Sequence, residues 1–526
     1  MVTITNRWII VTKDDPSFFP LSMNLTFSNS GVRKVYKTIG GRTKIKEIPY
    51  NNTDYLFEIK DNKMYIYRGL YQLLFDNGYF NNSRIIDNQK NNIDINFESI
   101  KDNYNEFKFI LDGIELRPEQ VLALRKMLLI KRCIIQLPTG SGKTEIMCAF
   151  VRYFYNEFGY VPTTLIIENN VTLVNGTIER LNKYNIPNSN YRESRIIKKN
   201  MVNVGHPSSI NNDMNKDNKL LDDIIIILCD ECHHARSSQV RSIFENSKNL
   251  EYSIGVSASA INQEHVGCQK VTDYDYNELI IMGVTGPLVM NMTSGFLIKK
   301  ETLASPVLLR MYNPSDEYIP DRELGNWHKV QEVRLYSDKR NEIVVRCSDF
   351  FNSVGRKVLI LVNTVKWAQK ILRLFGDYGL SDITRASYGG GRFEKYDPEY
   401  DEFETDNNDV LNMFKEGSIE ILIGTTHIYE GTDIPNLDVI ILAYGGRKER
   451  LQVQGIGRAL RKTKNGKYAY IVDFSDNEDT ILNRQSKERL IRYREDMCIP
   501  EERIFNEINV SDIKNIFNNL EGDIED

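Results

Sequence analysis

The chain has 526 residues, of which 41% are hydrophobic and 26% are charged, and its formal net charge is −5. This composition excludes a disordered or collagen-like chain, and no apolar run approaches the roughly 18 residues that a membrane-spanning helix needs. The seven cysteines are too few for a disulfide framework. We therefore expect a cytoplasmic protein of about three or four domains, with no membrane partner.

Residues 1–105 predict a small β-rich (α+β) accessory domain, because strand-like segments such as Trp8–Val11 and Lys63–Tyr67 occur there. Gly40-Gly41 indicates a two-residue hairpin turn. Basic residues on both arms make this hairpin a candidate nucleic-acid contact, and they are Arg33, Lys34, Lys37, Arg42, Lys44 and Lys46. An equally weighted alternative is an exposed edge hairpin whose lysines only hinder aggregation.

A phosphate cradle is predicted at Leu137–Thr144, between the apolar run Cys133–Gln136 and a helical segment, Glu145–Phe154. Glycine turns at a helix N-terminus present backbone N–H groups to an anion. Lys143 would reach the β- and γ-phosphates of ATP, and Thr144 would hold Mg²⁺. Leu137 stands where the general pattern has glycine. The expected nucleotide contacts in this segment are Pro138, Thr139, Gly140, Ser141, Gly142, Lys143 and Thr144.

Two adjacent carboxylates follow the longest of the buried strand signals downstream. Residues 224–229 form a six-residue apolar run, which is typical of a central parallel strand and places Asp230 and Glu231 at its carboxyl end. Asp230 would hold Mg²⁺, and Glu231 would orient or deprotonate the attacking water. The pair therefore predicts a hydrolase rather than a simple binding protein.

The second half of the chain predicts another parallel, helix-covered sheet, with strands at 358–363, 419–423, 439–442 and 468–472. The carboxylate-rich segment 394–406 reads as a solvated loop or insertion. Arg458 and Arg461 are three residues apart, so on a helix they share a face from which both can reach a phosphate. The acidic end, residues 521–526, predicts a disordered tail.

The motifs together resemble superfamily 2 helicases and translocases of the DExH type. Asp230-Glu231-Cys232-His233 resembles the DExH box, and Gly255–Ala260 resembles the motif that couples the two lobes. Further matches, in chain order, are residues 116–120, 423–426 with 430–435, and 454–461. The resemblance implies two tandem RecA-like parallel-sheet lobes, at 106–298 and 299–526, with a helical tail after the second.

The resemblance also implies roles for individual residues. Arg117 and Gln120 would bind adenine, Gly431 and Asp433 would contact the nucleotide, and Gln454, Arg458 and Arg461 would complete the catalytic set. Hydrolysis would be coupled to lobe motion through His233, Ser257 and Ser259. His206 and Thr425 are candidate contacts to the nucleic-acid strand.

In layout the chain is similar to UvsW-type phage DNA helicases, because an extra N-terminal region precedes the motor. We therefore expect an ATP- and Mg²⁺-dependent DNA helicase or translocase acting largely without sequence preference, with single-strand-binding or recombination proteins as further candidate partners. Two alternatives stay open. One is an RNA helicase on the same motor, and the other is an ATP-switched motor or recruitment subunit of a nuclease or defence system.

Overall fold

The computed structural model describes residues 1–39, 42–90, 93, 95, 100, 104–312, 330–389, 392–406, 409–425, 437–444, 468–476, 480–495 and 497–522. These residues form two compact units, Met1–Leu137 with Gly142–Asn291, and Pro138–Ser141 with Met292–Asp526. In the part of the chain that the structure describes, no helix combines the length and the hydrophobicity needed to cross a bilayer.

The N-terminal part of the first unit is a five-stranded sheet in the order β5-β6-β2-β1-β7. Its strands are β1 (Val2–Ile4), β2 (Trp8–Thr12), β5 (Phe57–Lys60), β6 (Lys63–Tyr67) and β7 (Ile85–Asp87). Only the β1–β7 pairing is parallel. Helices α1 (Phe18–Asn24), α2 (Tyr71–Asp76) and α3 (Tyr104–Lys108) accompany it. The predicted β-rich region is confirmed.

A long two-stranded ribbon extends the same region. Strands β3 (Thr26–Ile39) and β4 (Arg42–Tyr55) pair antiparallel over their whole length, and Ile39 lies opposite Arg42. This register confirms the predicted hairpin, although Gly40 and Gly41 themselves lie outside the described residues. Residues 29–52 are described at the level of backbone pairing.

The N-terminal sheet shares one hydrophobic core with the first lobe. Buried side chains of β2 and β6, including Ile9 and Ile66, belong to the same cluster as Ile281 of the lobe. The backbones also approach closely, because a Cβ added at Gly283 would lie 2.9 Å from that of Tyr67. The compact units thus divide after Asn291 and keep 1–105 with the first lobe. The division into 1–105, 106–298 and 299–526 stays a prediction.

The first lobe is built on a seven-stranded, fully parallel sheet in the order β10-β11-β9-β12-β13-β8-β14. Central strands such as Ile226–Asp230 are buried along their entire length because helices cover both faces. The strands are β8 (Arg132–Gln136), β9 (Thr164–Ile167), β10 (Asn188–Asn190), β11 (Val202–Gly205), β12 (Ile226–Asp230), β13 (Tyr252–Ser257) and β14 (Leu288–Asn291). The helices are α4 (Pro118–Ile130), α5 (Lys143–Phe158), α6 (Val171–Lys183), α7 (Tyr191–Ser194), α8 (Pro207–Met214), α9 (Ser238–Asn246) and α10 (Tyr276–Thr285).

The second unit has a nine-stranded sheet in the order β19-β18-β17-β20-β16-β21-β22-β15-β23. All neighbours are parallel except β17–β18 and β18–β19, so the predicted parallel α/β lobe is confirmed. The strands are β15 (Ser305–Tyr312), β16 (Val358–Leu361), β17 (Thr384–Gly389), β18 (Arg392–Asp397), β19 (Glu402–Asp406), β20 (Ile421–Gly424), β21 (Val439–Leu442), β22 (Tyr468–Ser475) and β23 (Ile504–Ile508). The helices are α11 (Ser294–Lys299), α12 (Asp338–Ser353), α13 (Val365–Asp377), α14 (Val410–Glu416), α15 (Thr480–Glu495) and α16 (Val510–Glu521).

The acidic segment 394–406 is not a loop, so that part of the expectation was wrong, and its reading as an insertion is not contradicted. It forms the antiparallel hairpin β18–β19 at one edge of the second sheet. Cations compensate some of its carboxylates: Lys395 Nζ lies 2.8 Å from Glu404, and Arg385 Nε lies 2.5 Å from the buried Asp406. The net acidity of the segment therefore conceals strands in which several charges are paired.

Candidate nucleotide-binding and catalytic site

The phosphate cradle is a turn between β8 and α5. Gly140 and Gly142 have φ angles of 83° and 80°, a region that glycine enters without steric cost. Gly142 is the N-cap residue of α5, so the first N–H groups of that helix open onto the turn. The predicted order of strand, glycine turn and helix is present, and its geometry suits a phosphate ligand.

The structure explains why leucine stands at position 137, where the general cradle pattern has glycine. Its side chain is fully buried, and its N–H donates to the Ser257 carbonyl oxygen at 2.9 Å. The position is therefore an extension of the strand into the core rather than a part of the turn. A side chain is needed at that position for packing.

Gln120 lies directly against the cradle. A Cβ added at Gly142 would collide with the Gln120 side-chain amide. The Gln120 Oε1 atom accepts the Arg117 N–H at 2.9 Å at the start of α4, and Arg117 Nε donates to Glu119 at 2.6 Å. Both residues of the predicted adenine contact are thus beside the turn, while their role toward adenine stays a prediction.

The two carboxylates lie at the carboxyl end of β12, as predicted. Asp230 is 8% exposed and accepts the Glu231 N–H at 2.9 Å. Glu231 Oε1 lies 3.5 Å from Lys143 Nζ, so this carboxylate and the cradle lysine face each other. Glu231 has a left-handed backbone, with φ 46° and ψ 53°, which turns the chain sharply at the end of the strand.

A hydroxyl and an imidazole complete the surroundings of Glu231. Ser257 Oγ donates to Glu231 Oε2 at 2.9 Å, and His233 Nδ1 lies 3.1 Å from Ser257 Oγ and 3.3 Å from Glu231 Oε2. The Ser259 N–H donates to Ser257 Oγ at 3.2 Å. The three residues predicted to couple hydrolysis to motion therefore form one network with Glu231.

The electrostatic surroundings shift the pKa values of Asp230 and Glu231 in opposite directions. Burial, followed by the negative charge of Glu231, raises the pKa of Asp230 to about 6. Burial opposes ionisation of Glu231 as well, but Lys143 and the hydrogen bonds from His233 and Ser257 outweigh it and lower the pKa of Glu231. Glu231 is therefore the carboxylate that stays ionised, and a cation near Asp230 would favour its ionised form.

A third carboxylate, Glu168, was missed in the sequence. The register pairs Ile167 with Cys229, so Glu168 follows its strand beside Asp230. Glu168 is fully buried, and Thr177 Oγ1 donates to its Oε1 at 2.7 Å. Burial, followed by the charge of Asp230, raises its pKa well above the usual range. The signal was available, because Glu168 directly follows an apolar strand, as Asp230 ends one.

Other predicted contacts are engaged in local structure. His206 caps α8 by accepting the Ser208 N–H at 3.2 Å on Nδ1, and its Nε2 lies 3.0 Å from the Asn169 carbonyl oxygen. Thr425, in the second unit, is 5% exposed, and its N–H donates to Ser387 at 3.2 Å. Five predicted site residues lie outside the described part of the chain, and they are Gly431, Asp433, Gln454, Arg458 and Arg461.

Two family descriptions match this chain, one in each lobe. "Type III restriction enzyme, res subunit" matches residues 113–261, and "Helicase conserved C-terminal domain" matches residues 339–463. The first range contains the cradle and the DExH box. The second lies entirely within the second compact unit.

Individual relatives carry helicase and translocase names. The chain is 22% identical over 404 residues to the DNA 3'-5' translocase XPB2 of Sulfurisphaera tokodaii, covering 73% of this chain and 87% of that protein. It is 21% identical over 371 residues to the ATP-dependent DNA helicase uvsW of Enterobacteria phage T4, covering 66% of each protein. Both alignments are distant, and the second spans just under two thirds of the phage protein.

A solved structure supports the fold. Dbp5 of S. cerevisiae bound to RNA and ADP BeF3 aligns with a TM-score of 0.52 at 14% identity, covering 80% of this chain and 97% of that one. At this identity the likeness concerns the architecture alone. The paired family matches, the parallel sheets and the ordered motifs make the chain a member of superfamily 2 of the helicases and translocases.

Proposed function

We propose that this protein is an ATP-dependent DNA helicase or translocase that couples ATP hydrolysis to movement on duplex or branched DNA, in unwinding, annealing or branch migration. The observation that supports it best is the contact of Glu231 with Lys143 on one side and with Ser257 on the other. This arrangement connects a phosphate cradle to the motif that resembles the coupling element of the superfamily.

The residues of the site have separable tasks in this proposal. Lys143 and the N–H groups of the cradle bind the phosphates, and their positive charge favours the charge that develops on the transferred phosphoryl group. Glu231 is ionised and accepts the proton of the attacking water. Ser257 and His233 hold the Glu231 carboxylate through the hydrogen bonds described above, so a shift of either residue alters the position of the base.

The donor set also suits Mg²⁺. Thr144 supplies a hydroxyl at the start of α5, and Asp230 supplies a carboxylate oxygen, both oxygen ligands that Mg²⁺ prefers. Bound there, Mg²⁺ would neutralise charge on the nucleotide phosphates. Gln454, Arg458 and Arg461 stay predicted participants.

The register of the β3–β4 ribbon supports a nucleic-acid contact. Paired residues of an antiparallel ribbon share a face, and successive residues alternate. Lys37 pairs with Lys44, so the register brings two basic positions opposite each other. Several basic positions on one face suit the phosphate backbone of DNA. Five of the six candidate basic residues fall on this one face, and they are Arg33, Lys37, Arg42, Lys44 and Lys46.

Charge reversal tests the ribbon. The triple variant Arg42→Glu, Lys44→Glu, Lys46→Glu should reduce the slope of log affinity against log salt by about 3, since each lost phosphate contact removes about 0.9 on duplex DNA. A matched control reverses three exposed lysines of the N-terminal sheet region, Lys13, Lys60 and Lys63. Equal slopes for the two triple variants would remove the ribbon from the proposal.

The substrate class is tested by a survey of nucleic acids. ATP hydrolysis should be stimulated by forks, four-way junctions or plain DNA duplex, in line with the relatives named as a DNA translocase and a DNA helicase, whereas other relatives are named as RNA helicases. Stimulation by RNA alone would instead establish the RNA helicase. A protein that keeps its function with ATP bound but not hydrolysed would be the switched recruitment subunit.

The proposal extends to a setting, for which a phage helicase among the relatives is the support. By analogy with the phage helicase, the protein would act in the cytoplasm of a bacterial host during replication, recombination or repair. Single-strand-binding or recombination proteins would be its partners there. Pull-down of such proteins with the full chain on a DNA fork, against the same chain without DNA, tests this setting.

A further inference from the structure

A cavity of about 260 Å³ lies between the N-terminal sheet and the first lobe. Its lobe side is formed by residues at the amino ends of β8 and β13, whereas the phosphate cradle follows the carboxyl end of β8. A five-residue strand spans about 15 Å at the usual rise per residue. The cavity is therefore separate from the nucleotide site.

The lining of the cavity is strongly basic. Four cations contribute to it, and the acidic lining residue is Glu251. That carboxylate is already engaged, since Lys131 Nζ lies 2.6 Å from its Oε1 and the Ile93 N–H donates to its Oε2 at 3.1 Å. The four cations are Arg68, Lys90, Lys131 and Arg132.

Two of these cations are poorly solvated and close to each other. Burial, followed by the charge of Arg68, lowers the pKa of Arg132 to about 9, and burial also lowers the pKa of Arg68. Arg132 is held by the Leu250 carbonyl oxygen at 2.7 Å, and Arg68 by Gln89 Oε1 at 3.1 Å. Neutral acceptors orient these guanidinium groups without cancelling their charge.

The site also contains a hydrogen-bond donor that is available to a ligand. In the described part of the chain, the buried Nε of Arg68 has no hydrogen-bond partner, which is uncommon for a buried donor. The nearby carboxylate of Asp87 accepts two hydrogen bonds from Gln89 Nε2, at 3.1 and 3.0 Å. Lys90 is exposed at the mouth of the cavity. The four cations thus outnumber the two nearby carboxylates, Asp87 and Glu251, and the site has an unused donor.

We propose that this cavity is a phosphate-binding site, in which Arg68 and Lys90 donate to the phosphate oxygens and Arg132 supplies charge. Guanidinium groups are well suited to phosphate because they present parallel N–H donors. Pockets for drug-sized molecules occupy about 300–1,000 Å³. At 260 Å³ the cavity accommodates a phosphate group with its immediate substituents rather than a whole nucleotide.

The phosphate can come from a nucleic-acid backbone or from a free phosphate, and the test distinguishes the two sources. The full chain is used with Lys143→Ala, so that phosphate binding at the cradle does not obscure the result. Thermal unfolding is followed with inorganic phosphate or pyrophosphate against sodium chloride of equal ionic strength. Binding of single-stranded and duplex oligonucleotides is measured with and without competing phosphate.

The proposal predicts that phosphate or pyrophosphate raises Tm in the Lys143→Ala protein. Arg68→Gln and Lys90→Gln, each added to that background, should weaken this binding about tenfold, the effect of one charge-assisted hydrogen bond. The control Arg84→Gln removes an exposed arginine of the same region and should leave the binding unchanged. Because Lys90 is exposed, its substitution tests the site without disturbing the core.

The two sources of phosphate predict different experimental results. A backbone ligand predicts that phosphate competes with oligonucleotide and that Arg68→Gln weakens oligonucleotide binding. A free phosphate predicts an Arg68-dependent rise in Tm with no effect on oligonucleotide binding. If neither phosphate, pyrophosphate nor oligonucleotide binding depends on Arg68 or Lys90, the cavity is not a phosphate site.

Discussion

Glu231→Gln gives the sharpest test of the catalytic arrangement. Glutamine preserves the size of the side chain and an acceptor for Ser257 Oγ, which lies 2.9 Å from the present carboxylate. It removes the negative charge and the proton acceptor. General-base catalysis typically contributes about 10²–10⁴-fold, so we expect kcat for ATP hydrolysis to fall by that factor, or by about 3–5 kcal/mol in barrier height.

The same substitution should lower stability at neutral pH, because the contacts that keep Glu231 ionised outweigh the cost of burying its charge. The attraction between Lys143 Nζ and Glu231 Oε1, 3.5 Å apart, is lost. Loss of the repulsion that raises the pKa of Asp230 offsets part of this effect. We therefore expect a fall in unfolding free energy of about 1–3 kcal/mol, the range for hydrogen bonds that involve a charged group.

The assay compares steady-state ATP hydrolysis, nucleotide affinity and strand displacement in wild type, Glu231→Gln and a control, Glu157→Gln. Glu157 is an exposed glutamate of the same lobe. Glu231→Gln should keep its affinity for ATP and nucleic acid but lose strand displacement. A variant that hydrolyses ATP within about tenfold of wild type would refute the assignment of Glu231 as the base.

Three further predictions concern the cradle and the carboxylates beside it. Lys143→Ala should abolish ATP hydrolysis while leaving nucleic-acid affinity largely intact, as measured by filter binding; equal losses of both would contradict separate sites. Gly142→Ala and Gly159→Ala both place alanine at positive φ, at a cost of about 1–2 kcal/mol in stability. Only the Gly142 variant should also lose nucleotide affinity. Its Cβ would collide with the Gln120 amide, whereas a Cβ at Gly159 meets nothing within 4 Å. Since Gln120→Ser also removes the hydrogen bond from the Arg117 N–H, its own Tm is the reference: in that background Gly142→Ala should lower Tm by no more than Gly159→Ala does in wild type, and a larger loss would show that Gln120 is not the obstacle. Burial raises the folded-state pKa of Glu168 above its unfolded value, so its contribution is full at low pH and is lost as pH rises towards the folded pKa. The Tm of Glu168→Gln relative to wild type should therefore increase between about pH 5 and about pH 8, and a constant difference would show that Glu168 does not titrate there.

The sequence predicted the elements whose hydrophobic pattern is local. The apolar run Cys133–Gln136 and the run ending at Asp230 are both strands, as predicted, because a parallel central strand must be apolar along its length. The predicted glycine turn before Lys143 is present as well. Composition misled at 394–406, where strands form and a cross-strand ion pair joins Lys395 to Glu404. Pairing of that kind depends on register, which net charge does not reveal.

Local sequence patterns could not predict the contacts between distant parts of the chain. The packing of the N-terminal sheet on the first lobe depends on close approaches, such as that of Gly283 to Tyr67. The position of Glu168 after an apolar strand was a local signal, but its place beside Asp230 depends on β9 lying next to β12. Strand order in a parallel sheet is set by crossovers, so sequence neighbours do not identify it.

The backbone of Glu231 shows why two adjacent carboxylates can serve one site. Successive residues of a strand point to opposite faces of the sheet, so a regular strand would direct Asp230 and Glu231 apart. The left-handed conformation of Glu231 ends the strand between them, and the positive charge of Lys143 then acts on both carboxylates. Such a conformation costs a residue with a Cβ about 1–2 kcal/mol. The hydrogen bonds from Ser257 and His233 and the charge of Lys143 offset that cost, and the same contacts that hold the strained residue also place its carboxylate opposite the phosphate cradle.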